Sequence, residues 1–117
     1  MAARSVAAKF SNNTKFDLLL VQSDVEMGHW VTEPPGTIAS GAEGHWETDS
    51  DEMAGTMGYL KYKFTNETGT HTVFVSWSNP YNQASNFEIS CDAAGIKPGY
   101  TGGKGDNADV NYYLNQA

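Results

Sequence analysis

The densest concentration of chemically useful side chains lies between Thr72 and Cys91, in TVFVSWSNPYNQASNFEISC, where Trp77, Asn79, Pro80, Tyr81 and Asn82 separate two alternating apolar patterns. Aromatic rings offer flat faces that stack on sugars or attract a quaternary ammonium, the latter worth about 0.5 to 2 kcal/mol per ring. Asparagine amides both donate to and accept from hydroxyls. No nucleophile is spaced against a base, and no Gly-x-Ser-x-Gly elbow occurs. The segment therefore reads as a surface that holds a ligand, and the chain as a binding protein rather than an enzyme.

Further rings extend the candidate set. Trp30 is expected in a polar loop, in Gly28-His29-Trp30 just ahead of Pro34-Pro35, and Trp46 follows Gly44-His45. Tyr112 and Tyr113 are adjacent, so a strand must send them to opposite faces and leave one outside the core. The candidate ligand-binding residues are thus Trp77, Asn79, Pro80, Tyr81, Asn82, Tyr112, Tyr113, Trp30 and Trp46. Trp77 is in phase with Val73 and Val75, a position equally consistent with burial.

Metal and phosphate chemistry find less support. His29, His45 and His71 are far apart and lack zinc-ligand spacing. Glu47, Asp49, Asp51 and Glu52 lack the glycine and terminal glutamate of a calcium loop and read as a solvated acidic loop. In Pro98 to Asp106, PGYTGGKGD, Lys104 is followed by Gly-Asp rather than by Ser or Thr opening a helix, so the stretch is expected to be a flexible loop. No cofactor and no metal are expected.

The elements that must position these residues are strands. A length of 117 residues suits one domain, residues 1–117, with one core. Val6, Ala8 and Phe10 alternate with polar or small residues, and Phe16, Leu18 and Leu20 resume the pattern after Asn12-Asn13, which predicts a hairpin. Trp46 and Thr48 mark a further strand, Leu60, Tyr62 and Phe64 another, followed by Val73 to Trp77, Phe87 to Cys91 and Val110 to Leu114. Seven or so short strands separated by turn residues predict an all-β, compact antiparallel β-sandwich.

Composition limits the partners. The 14 acidic and 7 basic residues give a formal charge of -7, which disfavours nucleic acid and anionic lipid and leaves a neutral or zwitterionic ligand. The single cysteine, Cys91, is in phase with Phe87 and Ile89, reads as core, and suits a reducing compartment. The opening MAARSVAAKF lacks the apolar run of a signal peptide, and no stretch is apolar enough to span a bilayer. Cytoplasmic synthesis is expected, with action at target-cell membranes after release. The sequons at Asn12 and Asn66 would matter only in a secretory pathway.

The order of these features resembles the actinoporin-like superfamily, which includes sea-anemone pore-forming cytolysins, aegerolysins and fungal fruit-body lectins. The resemblance runs from Arg4 to about Cys91. It rests on an opening strand with its Asn-Thr turn, a Pro-rich corner leading to Ile38 and Gly41, Gly55-Thr56-Met57-Gly58 ahead of a strand, and Pro80-Tyr81 through Asn86 where the family has a Pro-Tyr or Pro-Trp turn. It implies a β-sandwich whose surface around Trp77, Pro80, Tyr81 and Asn82, with Tyr112 or Tyr113, faces a lipid headgroup or a glycan. Few residues precede the first strand, so a counterpart of the amphipathic N-terminal helix of the actinoporins is not expected. The implied role is toxin-type membrane recognition without a pore-forming helix of its own, as in aegerolysins, which act with a separate pore-forming partner. A sphingomyelin-like, choline-type headgroup is the expected ligand. The alternatives are a carbohydrate-binding lectin and a self-assembling homo-oligomer whose aromatic patch is a subunit interface.

Overall fold

Alternation of apolar and polar residues favours paired strands, because only a strand sends every second side chain to one face. The computed structural model, which describes residues 4–51 and 53–116, forms ten of them. They are β1 (Ser5–Asn13), β2 (Leu18–Met27), β3 (His29–Thr32), β4 (Thr37–Ile38), β5 (Glu43–Asp49), β6 (Thr56–Asn66), β7 (Gly69–Asn79), β8 (Asn86–Cys91), β9 (Ile96–Gly102) and β10 (Asn107–Gln116). Two five-stranded sheets, ordered β3-β5-β1-β10-β9 and β4-β2-β6-β7-β8, pack face to face. The expected all-β sandwich is what forms, and one of its ladders is parallel, between β1 and β10.

The core lies between the sheets. Val6, Ala8 and Phe10 of β1, Val110, Tyr112 and Leu114 of β10, and Trp46 of β5 meet Leu60, Tyr62 and Phe64 of β6 and Val73, Val75 and Trp77 of β7. Cys91 is half-buried against this core, and burial raises its thiol pKa above the ordinary value. A neutral thiol is a poor nucleophile, which accords with a packing role.

Three local expectations are corrected. β1 and β2 are not a hairpin, since they belong to different sheets. The buried Asn12 side-chain amide donates to the carbonyls of Phe16, Ile38 and Ala39, turning the chain into an arch from one sheet to the other. Most of the Gly-rich stretch expected to be a loop is strand, because β9 continues to Gly102 and pairs with β10. Trp30, expected in a loop, lies in β3 and pairs with Thr48. Between β2 and β3 the chain crosses sheets at Gly28, where φ is 90° and a Cβ would collide with the Asp49 carbonyl, so glycine is required on both counts.

The registers gather the loops into two groups. Ser5 pairs with both Asp49 and Asn107, and Thr56 pairs with Asn79. Arg4, the β5–β6 loop, the β7–β8 loop and the β9–β10 loop therefore share one end of a body measuring 47 × 22 × 19 Å. Along one side, β8 and β9 form the adjoining outer edges of the two sheets and leave a seam.

Candidate functional site

Asn79 ends β7 with its side chain buried, and its Nδ2 lies 3.0–3.1 Å from the carbonyl oxygens of Ser5, Gly105 and Asp106. This amide joins the start of β1 to the β9–β10 loop. Pro80 follows, packed so closely on Gly55 that a Cβ there would lie 2.6 Å from the Pro80 Cα. Tyr81 is half-buried beneath the Arg4 guanidinium, 4.8 Å from ring centre to carbon. Asn82 is exposed with φ 57°, a left-handed conformation that asparagine tolerates better than most residues. Arg4 also pairs with Asp106 at 3.4 Å. Arg4, Asn79, Asn82 and Asp106, with Gln83, Ser85 and Lys104, border an end groove of about 510 Å³.

A second groove, of about 520 Å³, runs along the seam. Phe87 and Glu88 of β8 form one wall, and Gly99 and Tyr100 of β9 with Tyr113 of β10 form the other. Because Tyr112 points inward, Tyr113 must point outward, and it lies across β9 over its register partner Gly99. A Cβ on Gly99 would collide with the Tyr113 hydroxyl, so glycine makes room for the ring. Tyr100 is 42% exposed, with its ring 5.9 Å from Phe87 and 6.1 Å from Tyr112. The Ser85 hydroxyl donates to the Gly103 carbonyl at 3.0 Å, joining the β7–β8 loop to the β9–β10 loop. Two phenol rings and the exposed carboxylate of Glu88 thus border one opening, a combination suited to an organic cation.

The structure separates the sequence candidates into three groups. Pro80, Tyr81 and Asn82 stand at the loop end, and Tyr113 borders the seam groove. Trp30 is half-buried against the core, 5.8 Å from Trp77. Trp46, Trp77 and Tyr112 are 1%, 1% and 0% exposed, and the expectation that they present themselves to a ligand is corrected, while Asn79 is 3% exposed and still borders the end groove. Their interior position has a packing cause: Trp77 lies 5.9 Å from Trp46, which stacks on Tyr112 at 5.8 Å, so the rings form a continuous row between the sheets. The Trp77 Nε1 donates to Thr48 Oγ1 and the Tyr112 hydroxyl to the Ser76 carbonyl, giving both buried polar groups a partner. Burial, with a smaller contribution from nearby Tyr100, raises the Tyr112 phenol pKa well above its ordinary value.

Arg4, Glu88, Tyr100 and Lys104 were not singled out as site residues from sequence. The signal for Tyr100 was available in Ile96, Pro98 and Tyr100 at a spacing of two, interrupted by the glycines that had suggested a loop. Of the acidic cluster, Glu52 lies outside the described residues, and Asp49 contacts His29 at 2.7 Å. Among the described residues no group of three or more His, Cys, Asp or Glu is arranged to hold a metal ion.

No protein-family model matches the chain, and no curated protein matches it in sequence. Among solved structures it is similar to the lipid-binding protein Nakanori, with a TM-score of 0.86 and 14% identity over 99% of this chain and 73% of that one. It is also similar to RahU, solved in complex with a Tris molecule, with a TM-score of 0.76 and 13% identity over 100% of this chain and 98% of that one. Likeness at such low identity establishes a common fold.

Proposed function

We propose that this chain recognises membrane lipid, taking a zwitterionic, choline-type headgroup such as that of sphingomyelin in the seam groove. The observation that carries the reading is the convergence of Tyr100, Tyr113 and Glu88 on one opening. The rings attract the quaternary ammonium through their π faces, and the carboxylate balances its charge. Nakanori, which has the same fold, is described as a lipid-binding protein, and that supports the choice of lipid. The reading includes no catalytic step. It also includes no pore-forming step by this chain alone, so lysis would require a separate pore-forming partner.

The test is co-sedimentation with neutral vesicles of choline-free lipid with and without sphingomyelin, competed by soluble phosphocholine, with an entrapped dye to report leakage. Sphingomyelin-dependent binding that phosphocholine displaces, without dye release, is expected. Failure to bind either vesicle would remove the reading.

A carbohydrate ligand is the second reading. The Tris molecule in the RahU complex is at once a cation and a triol, so it supports an ammonium and a polyol ligand equally. Displacement by monosaccharides but not by phosphocholine would favour the lectin.

A further inference from the structure

The end groove is chemically unlike the seam groove. The chain carries a formal charge of -7 with only 7 basic residues, yet Arg4 and Lys104 both border this opening, and Asp106 is the one carboxylate among its described lining residues. Charges farther away than about 8 Å are largely screened at physiological salt, so the local set governs what enters.

The donors there are held in place. Arg4 is 11% exposed at its side chain, set between the Tyr81 ring at 4.8 Å and Asp106 at 3.4 Å. The loop carrying Lys104 is anchored on both sides, by the Gly103 N–H donating to Asp109 and by the Asn79 amide donating to Gly105. Asn82 and Gln83, which carry side-chain amides, also line the groove. Guanidinium, ammonium and amide N–H groups on one opening form a donor set for a tetrahedral oxyanion, which accepts several charge-assisted hydrogen bonds at once. Asp106, with its side chain 70% exposed, already occupies part of that position as an internal carboxylate on Arg4.

We infer that the end groove is an oxyanion site for a phosphate or sulfate monoester, which displaces the Asp106 carboxylate from Arg4. The site is separate from the choline groove and does not depend on it. The charge of the whole molecule argued against anionic ligands, whereas this groove accepts one locally.

The experiment is a titration of the full chain with inorganic phosphate and with sulfate, followed by amide chemical shifts. Saturable shifts confined to residues 82–85 and 103–106 are expected, with a dissociation constant in the range of about 1 mM. Lys104→Glu weakens binding about tenfold or more, and Asp106→Asn strengthens it several-fold by removing the competing carboxylate. The opposite effects of these two variants distinguish a site from a general loss of structure, and both side chains are exposed. Vesicles of choline-free neutral lipid with and without phosphatidic acid identify the source: added retention by phosphatidic acid assigns a lipid phosphomonoester, and phosphate binding without it assigns a soluble one. Absence of shifts at phosphate concentrations well above that range, or weaker binding by Asp106→Asn, overturns the proposal.

Discussion

The Arg4 guanidinium lies over the Tyr81 ring, 4.8 Å from its centre. This contact joins the residue preceding β1 to the loop that follows β7, and so ties the two sheets together at the loop end. Tyr81 is therefore part structural. Tyr81→Ala is expected to lower stability by about 1–2 kcal/mol, from the lost cation–π contact and apolar burial together, while choline binding in the seam persists. Tyr81→Phe should retain most of that stability. Chemical denaturation of the three proteins checks this, and an unchanged midpoint for the alanine variant would show that the ring contributes nothing.

Gly99 and Tyr113 are register partners whose side chains compete for one space. Gly99→Ala should push the flexible end of Tyr113 away from the seam. Sphingomyelin-vesicle affinity then falls by about tenfold, the equivalent of about 1.4 kcal/mol, with a smaller change in melting temperature. Tyr113→Ala should match the affinity loss. If Gly99→Ala binds as the parent does, the ring of Tyr113 does not serve the headgroup.

Intrinsic fluorescence offers an independent check on the buried aromatic row. Trp46 and Trp77 are each 1% exposed and Trp30 is half-buried. Emission of the free protein should already be blue, acrylamide should quench only a minority of it, and vesicle binding should move the maximum little. A large blue shift on binding would mean that a tryptophan leaves the core to enter lipid.

Alkaline pH should unfold the protein through two phenols. Burial raises the pKa of Tyr62 and Tyr112 well above the ordinary 10.0. Both are protonated in either state below pH 10, so their contribution is fully present there. Above pH 10 the unfolded chain releases protons that the folded chain retains, and stability declines toward the higher folded pKa values by about 1.4 kcal/mol per pH unit for each tyrosine. Urea midpoints measured from neutral pH to beyond pH 11 test this, and Tyr112→Phe should roughly halve the slope. A flat profile would contradict the burial of both rings.

Much of the fold was legible because alternation is a local signal. Val6, Ala8 and Phe10, Leu60, Tyr62 and Phe64, and Val73 and Val75 were placed on single faces from sequence, and those faces form the core. Which strands are neighbours is not local. Nothing in Asn12-Asn13 says that its amide will bridge to Ile38 and Ala39, and without that bridge the segment reads as a hairpin turn. In β9, Pro98 and Gly99 hide the period, and with it Tyr100. For the candidate site, loop position correctly kept Pro80, Tyr81 and Asn82 outside the sheets. Ring chemistry alone could not distinguish Tyr113 from Tyr112, or an exposed tryptophan from the interior row that Trp46 and Trp77 form.

β1 lies between β5 and β10, and its whole ladder with β10 is parallel. Ser5 meets Asn107 through a side-chain bond spanning 102 positions. On the ribosome, β1 would wait for β10, 102 positions later, to emerge before this sheet could close, and closure over so long a loop is slow. During that interval the hydrogen-bonding edge of β1 is open to other chains. Expression yield should therefore depend on chaperone capacity more than the stability of the finished sandwich would suggest.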